Sequence, residues 1–204
     1  MSYPMYDYVV IGSGFGGSVS ALRLKEKGYS VLVLEEGRRY ADDDFKKTNN
    51  NPFTYFWMPR LGCRGFQRIT FFRHAAILGA AGVGGGSINY ANTLLEPTEE
   101  FFHSPDLPKS VSWKDELSPF FETCTEMLRP VECPALTEMD RVLKRASDKA
   151  GIGDTWYAEQ VAVHFGEPDV EEPDPYFGGK GLPRAGCSLC GGCMIGCRNG
   201  ARTE

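Results

Sequence analysis

Apolar residues change their spacing twice within the first forty positions of the chain. Residues 6–11, YDYVVI, form a short β-branched and aromatic run, and the turn sequence GSGFGG follows directly. Val19 and Leu22 then fall near one face at helical spacing, and Gly28 is placed to end that helix. Residues 30–37, SVLVLEEG, form a second continuous apolar run, which is typical of a buried strand in a parallel sheet. The pattern predicts one strand–helix–strand unit.

The rest of the chain alternates irregular and regular stretches. Polar clusters and two prolines predict an irregular excursion over 38–60, and a second glycine-dense segment follows. Helical spacing returns twice before a short strand-like run and a loop rich in Pro and Gly. In order, these later stretches are the glycine-dense segment 74–97, the helices within 113–132 and 137–152, the strand 160–165 and the loop 167–186.

The first glycine turn has the form G-x-G-x-x-G and stands in the context that gives this motif its meaning, after a strand and before a helix. Gly12 permits a tight turn, Gly14 lets the backbone approach a pyrophosphate, and Gly17 lets the helix pack closely on the strand. Phe15 and Gly16 open the helix, whose N-terminal N–H groups favour phosphate. The turn therefore predicts a dinucleotide site.

A carboxylate at the end of the second strand narrows the choice of dinucleotide. Glu35 lies twenty-three residues after Gly12, where it can accept hydrogen bonds from the ribose hydroxyls of the adenosine. A carboxylate there repels a 2′-phosphate and disfavours NADP, so NAD and FAD remain. We assign this role to Glu35 and not to its neighbour Glu36.

A longer pattern carries a family resemblance. The spacing G-x-G-x-x-G-x3-A-x6-G continues through Ala21 and Gly28, and the segment GVGGGSINYANTLLEP contains a GGGS run followed by Glu96-Pro97. Both features resemble the glucose–methanol–choline (GMC) oxidoreductases, in particular their cholesterol-oxidase-like branch. The resemblance implies an α/β fold: a Rossmann-like FAD/NAD(P)-binding domain with a parallel sheet over residues 1–100, and part of a substrate-binding α+β domain over 101–204.

The resemblance also implies FAD as the cofactor and assigns residues of the second glycine segment to it. Where better-known members carry Asn-Gly-Gly after the glycine run, this chain has Tyr-Ala-Asn. The resemblance therefore assigns roles to the backbone of this segment more directly than to its side chains. The residues implied to approach the cofactor are Gly82, Gly84, Gly85, Gly86 and Ser87, and those implied to border the flavin are Asn89, Tyr90 and Asn92.

The activity implied by the resemblance is FAD-dependent oxidation of the CH–OH group of an apolar, sterol-like alcohol. In the family, a histidine near the C-terminus takes the hydroxyl proton. His74, His103 and His164 all precede that region, so no catalytic residue is assigned. We therefore expect a truncated N-terminal portion that is inactive alone and whose partners are the alcohol substrate and a separate C-terminal half.

The cysteine run near residue 190 supports a competing hypothesis. Its spacing, C-x2-C-x2-C-x3-C, equals that of a bacterial ferredoxin and predicts an iron–sulfur cluster used in electron transfer or redox sensing. Zinc held by four thiolates and a metal-free turn remain alternatives, because neither a second cysteine set nor the usual proline is present. The candidate ligands are Cys187, Cys190, Cys193 and Cys197.

Composition restricts the partners and the compartment. A net charge of −5 without a basic run argues against nucleic acid as a partner. The N-terminus has no secretory leader pattern, and no stretch of eighteen apolar residues occurs, so we expect a cytoplasmic protein without a transmembrane segment. In that compartment seven cysteines indicate ligands or buried thiols more than disulfides.

Overall fold

The computed structural model describes residues 4–202 and divides them into two compact units. The first comprises the described part of Met1–Ala91 together with Gly186–Gly200, and the second comprises Asn92–Ala185 with the described part of Ala201–Glu204. The sequence-based boundary lies at residue 100, whereas the first unit ends at Ala91 and includes the cysteine run. The functional assignment of the two parts, as FAD-binding and substrate domains, stays a prediction.

The first unit begins with the expected strand–helix–strand arrangement. Its elements are β1 (Tyr8–Ile11), α1 (Phe15–Glu26) and β2 (Val31–Leu34). Strands β1 and β2 pair in parallel over all four residues, from Tyr8 opposite Val31 to Ile11 opposite Leu34. The N–H of Gly12 extends the pairing by donating to the carbonyl of Leu34 at 2.7 Å. The predicted Rossmann-like unit is confirmed, and it delivers the glycine turn to the carboxyl ends of both strands.

The expected burial of β2 is wrong. A continuous apolar run is typical of a strand covered on both faces, but Val33 is 39% exposed and Leu34 is 49% exposed. On β1, Ile11 is 87% exposed. The reason is that this parallel sheet contains two strands in the described part of the chain, so few neighbours cover it.

The remaining elements of the first unit form small antiparallel pairs. Strands β3 and β4 pair with each other, and β5 pairs with β6 over five residues, from Gln67 opposite Ala80 to Phe71 opposite Ala76. Because β6 runs directly into the second glycine segment, the β5–β6 hairpin supports that segment. The bounds are α2 (Pro52–Tyr55), β3 (Trp57–Met58), β4 (Cys63–Arg64), β5 (Gln67–Phe71) and β6 (Ala76–Ala80).

A group of four aromatic side chains, the aromatic cluster, packs inside the first unit. Phe66 is buried, and the rings of Tyr40, Phe45 and Tyr55 lie edge-on to it with centroids 5.7, 5.4 and 5.6 Å away. Edge-to-face contacts at this separation are favourable, because the positive ring edge meets the negative ring face. The excursion over 38–60, which supplies the three rings around Phe66, is thereby fixed to the core.

The second unit contains the two longer helices expected from the sequence. Helix α5 begins at a capping box, in which Thr137 accepts from the N–H of Asp140 and the Asp140 carboxylate accepts from the N–H of Thr137. No helix in the described chain is long and apolar enough to cross a membrane. The elements are α3 (Glu99–Phe102), α4 (Trp113–Leu128), β7 (Val131–Glu132), α5 (Glu138–Lys149), β8 (Gln160–Val161), β9 (Glu171–Glu172) and β10 (Arg184–Ala185).

Candidate dinucleotide-binding site

The first glycine turn leaves the N-terminus of α1 uncapped. Gly14 is the N-cap residue, with extended backbone, and no side chain makes a capping hydrogen bond to the helix. The N–H groups of the first helical turn, which begins at Phe15 and Gly16, have no acceptor within the helix itself. An uncapped helix start with a positive dipole end suits a phosphate group.

Gly17 sets the distance between α1 and the turn that precedes it. A Cβ atom at this position would approach the carbonyl oxygen of Gly12 more closely than real Cβ atoms approach any atom, and it would lie 3.4 Å from Cγ1 of Val10. The absence of a side chain therefore brings the helix start close to the end of β1.

The Glu35 carboxylate faces the glycine turn, as expected from its position after β2. One carboxylate oxygen, Oε2, accepts from the N–H and the hydroxyl of Ser13 at 2.9 and 2.7 Å, and Oε1 accepts from the N–H of Gly37 at 3.1 Å. Partial burial raises the pKa of Glu35, but these hydrogen bonds together outweigh it and hold the pKa below its ordinary value. The carboxylate is thus ionised and oriented before any ligand arrives.

The neighbouring Glu36 points elsewhere. Its Oε1 lies 2.5 Å from Nη2 of Arg68 on β5, in an ion pair whose two side chains are 54% and 38% exposed. The sequence-based choice of Glu35 over Glu36 agrees with these contacts, and the ribose contact itself stays a prediction.

The second glycine segment meets the first glycine turn at the backbone. The N–H of Gly84 donates to the hydroxyl of Ser13 at 3.2 Å. A Cβ atom on Gly85 would lie 2.8 Å from Cα of Gly14, so the two chains approach as closely as glycines permit. The structure brings together the two glycine elements that the sequence separates by seventy residues.

The chain just after β2 also lies against the second glycine segment. The N–H of Val83 donates to the carbonyl of Arg38 at 3.1 Å. A Cβ atom on Gly37 would collide with the backbone of Ala81 and Gly82. Both contacts hold the second segment beside the Glu35 carboxylate.

The three residues assigned to the flavin border have different surroundings. Asn89 is buried and its side-chain amide donates to Oε1 of Gln67 at 3.1 Å and to the carbonyl of Gly79 at 2.9 Å, so it anchors the segment to β5 and β6. Tyr90 packs edge-on against Phe15 with centroids 5.5 Å apart. Asn92 belongs to the second unit, where it is fully buried and its carbonyl accepts from the N–H of Ala162.

Glu35→Gln is expected to remove a pH-dependent part of the stability. Because the folded-state pKa is lowered, the ionised Glu35 stabilises the fold above its ordinary value of 4.5, and this contribution is lost as pH falls through the folded-state pKa. Urea unfolding of both proteins between about pH 3 and pH 7 measures the effect. The difference between them should shrink toward the acid end, and Glu36→Gln serves as the control. A difference that does not change with pH would contradict the hydrogen-bonded carboxylate.

Comparison with known proteins agrees with this geometry. Residues 10–54 match the family model of the NAD(P)-binding Rossmann-like domain. A cholesterol oxidase of Mycobacterium tuberculosis is 51% identical over 98% of the chain, and one of Acinetobacter baumannii is 44% identical over 97%. An uncharacterized GMC-type oxidoreductase of Mycobacterium tuberculosis is 27% identical over 96%. Over nearly its whole length, the chain is therefore similar to cholesterol oxidases and to a GMC-type oxidoreductase.

The matched relatives are longer than this chain. It spans about a third of their length, 35% and 36% for the two cholesterol oxidases and 28% for the GMC-type oxidoreductase. The family model names the NAD(P)-binding class of Rossmann-like domain, so a dinucleotide-binding domain is established at the level of the fold.

The four cysteines of the run show no metal-binding arrangement in the described residues. All seven cysteines are reduced, and residues 4–202 contain no group of three or more His, Cys, Asp or Glu side chains that could hold a metal ion. Burial raises the pKa of the Cys187 thiol. The relatives add no support for an iron–sulfur cluster or zinc, and the assignment of these cysteines as ligands stays a prediction.

The three histidines lie in ordinary structural surroundings. His74 is exposed, and Nδ1 of His103 lies 2.7 Å from the carbonyl of Glu99. His164 is largely buried in the second unit, with Nδ1 2.8 Å from the Tyr176 hydroxyl and Nε2 3.1 Å from Oε1 of Glu172. These contacts assign no catalytic role.

Sequence reasoning missed Ser13. It occupies a variable position of the glycine motif, yet its side chain is buried and its hydroxyl links Glu35 to Gly84. The only sequence signal is a small hydroxyl residue between two glycines, which many turns share. Its role depends on a contact between segments seventy residues apart.

Proposed function

We propose that the chain binds FAD and forms the cofactor-binding portion of an oxidoreductase that acts on the CH–OH group of an apolar, sterol-like alcohol. The observation that carries the proposal is the backbone contact between Gly14 and Gly85 beside the Glu35 carboxylate. This contact joins the two glycine elements. A ligand bound by both elements must therefore reach from an adenosine end beside Glu35 to a second group beside the second glycine segment.

The residues present fit a dinucleotide. At Gly14 and Gly85 the backbone carries no side chain, so a pyrophosphate can approach the N–H groups of the uncapped α1. Oε2 of Glu35 already accepts two hydrogen bonds and Oε1 accepts one. Because an ionised carboxylate has about four acceptor positions, a ribose hydroxyl would share or replace one of these bonds. The same charge repels a 2′-phosphate.

The second glycine segment favours FAD over NAD. It presents main chain to a flat ring or phosphate, and its N–H groups can stabilise negative charge on a reduced flavin. Bound FAD would supply the acceptor for a hydride from the alcohol carbon. The residues described above would bind and orient that cofactor, with the Gly82–Ser87 backbone and Tyr90 nearest to the flavin end and Glu35 at the adenosine end.

The substrate class rests on the relatives. Two of them are cholesterol oxidases, which supports an apolar alcohol, and this chain spans about a third of their length. Three further expectations stay predictions: a separate C-terminal half as a partner, inactivity of the isolated chain and a cytoplasmic location.

FAD titration of the purified chain tests the proposal. We expect flavin fluorescence to be quenched at a stoichiometry of about one FAD per chain, with ADP competing and NADP competing poorly because of Glu35. Metal analysis of the same sample should find no stoichiometric iron or sulfide. A chain that binds NADP as tightly as ADP, or that binds no FAD, would overturn the assignment.

A further inference from the structure

We infer that the cysteine-rich segment, residues 186–200, is a positioning element for the cofactor site: it supports the second glycine segment through Phe45 and Tyr40. This inference rests on the proposed function, since the ligand that it positions is the flavin end of FAD. It gives the cysteine run a role that needs no metal.

The cysteine-rich segment contacts the aromatic cluster at a glycine. Gly196 is buried with φ of +89°, and a Cβ atom there would enter the ring of Phe45, closer than 3.0 Å to its carbons. A Cβ atom on Gly200 would lie 2.7 Å from Oδ2 of Asp42. The segment therefore lies directly on the excursion after β2 at two points.

The contact continues from Phe45 to the second glycine segment. The rings of Phe45 and Tyr40 are stacked, with centroids 5.8 Å apart and an angle of 25° between planes. A Cβ atom on Gly82 would lie 2.7 Å from Cε2 of Tyr40, so the Tyr40 ring touches the start of the second segment. Since packed rings resist compression, a shift of Phe45 moves Tyr40 and hence Gly82.

The excursion that carries these two rings is itself rigid. Arg38 makes a bidentate ion pair with Asp44, with both N–O distances 3.0 Å, and its guanidinium lies 4.3 Å from the centre of the Tyr40 ring. The backbone carbonyl of Arg38 also accepts a hydrogen bond from the N–H of Val83. A paired guanidinium stacked on a ring fixes the loop geometry.

The cysteine-rich segment is closed by its own hydrogen bonds. The side chain of Asn199 donates to the Ser188 hydroxyl at 2.8 Å, which ties the two ends of the segment together. A 3₁₀ turn over Cys193–Ile195 places Gly196, whose N–H donates to the carbonyl of Cys193 at 3.2 Å. The closed loop presents Gly196 to Phe45 in one orientation.

Gly196→Ala tests the inference against a matched control in the same loop. Gly191 has φ of +67° and no atom within 4 Å of an added Cβ, so Gly191→Ala carries similar backbone strain without the ring contact. We expect Gly196→Ala to weaken FAD binding on the order of tenfold, since an overpacked contact displaces its neighbours. ADP binding should stay within about twofold of the wild-type value, because ADP uses the first glycine turn and Glu35. Gly191→Ala should leave the affinities for both ligands near wild type.

A double substitution separates positioning from general loss of stability. In a Phe45→Ala background the side-chain carbons that the new Cβ would meet are absent, so adding Gly196→Ala should change FAD affinity little. Circular dichroism checks that each variant is folded. If Gly196→Ala does not fold, Phe45→Ala alone should still weaken FAD binding more than ADP binding, because it removes the stack on Tyr40.

The outcomes distinguish the two proposals. Equal losses of FAD and ADP affinity, or equal FAD affinities in the Gly196 and Gly191 variants, would overturn the positioning role while the cofactor assignment stands. A wild-type chain that binds ADP but no FAD would overturn the proposed function and, with it, this inference.

Discussion

Gly14→Val is expected to abolish FAD and ADP binding while leaving the chain folded. The backbone at Gly14 is extended, with φ of −68° and ψ of −174°, which valine adopts readily. The nearest atom to a Cβ there is Cα of Gly85 at 4.0 Å, so the protein itself has room for it. A branched side chain would instead fill the space where the pyrophosphate approaches α1. The pyrophosphate would then lose two charge-assisted hydrogen bonds from the backbone N–H groups at the start of α1. At roughly 1.5–3 kcal/mol each, their loss lowers the affinity by at least about 100-fold.

Gly79→Val provides the control for this prediction. Gly79 lies in β6, where valine is favoured, and a Cβ there meets no atom within 4 Å. Isothermal titration of both variants with FAD and ADP, beside thermal unfolding, measures the effect. Wild-type affinity in Gly14→Val would show that the first glycine turn does not bind the pyrophosphate.

Gly85→Ala is expected to damage both the fold and the cofactor site. Gly85 has φ of +56°, and its new Cβ would lie 2.8 Å from Cα and 3.3 Å from N of Gly14. These are backbone atoms that cannot rotate away, so the two glycine elements must separate. The left-handed backbone costs alanine about 1–2 kcal/mol, and overpacking costs about 1–3 kcal/mol more. We expect a stability loss of about 2–5 kcal/mol together with a large loss of FAD affinity.

Gly62→Ala isolates the contribution of the contact. Gly62 has φ of +76° and no atom within 4 Å of an added Cβ, so its substitution carries the backbone strain alone. We expect it to cost about 1–2 kcal/mol of unfolding free energy and to leave FAD binding unchanged. If both alanine variants lost the same stability and both bound FAD normally, Gly14 and Gly85 would not be in contact.

The local elements near the N-terminus could be predicted because each depends on residues close in sequence. The change from a β-branched run to helical spacing and back identified β1, α1 and β2. The distance from Gly12 to Glu35 predicted a carboxylate beside the glycine turn, and Glu35 accepts from the N–H of Ser13 there. The burial of β1 and β2 could not be predicted, because an apolar run does not reveal how many strands lie beside it. Exposure is a property of the assembled sheet.

The contacts that build the site depend on segments that the sequence keeps apart. The Ser13 hydroxyl joins Glu35 and Gly84, and neither partner can be identified from the turn itself. Cysteine spacing likewise does not fix the directions of the thiols. Leu189, with φ of +54°, turns the backbone sharply between the first two cysteines, and its N–H donates to Sγ of Cys187. A regular spacing by itself therefore does not establish a ligand cage.

The exposed apolar strands affect how the stability and affinity of variants can be compared. Ile11 and Leu34 on the parallel pair, and Phe71 on β5 at 79% exposure, present open β surface to other molecules in solution. Such surface is a template for pairing with a second copy, and a net charge of −5 provides little repulsion against it. Self-association makes apparent melting temperatures depend on protein concentration. Comparisons between variants therefore require dilute samples matched in concentration and monitored by light scattering.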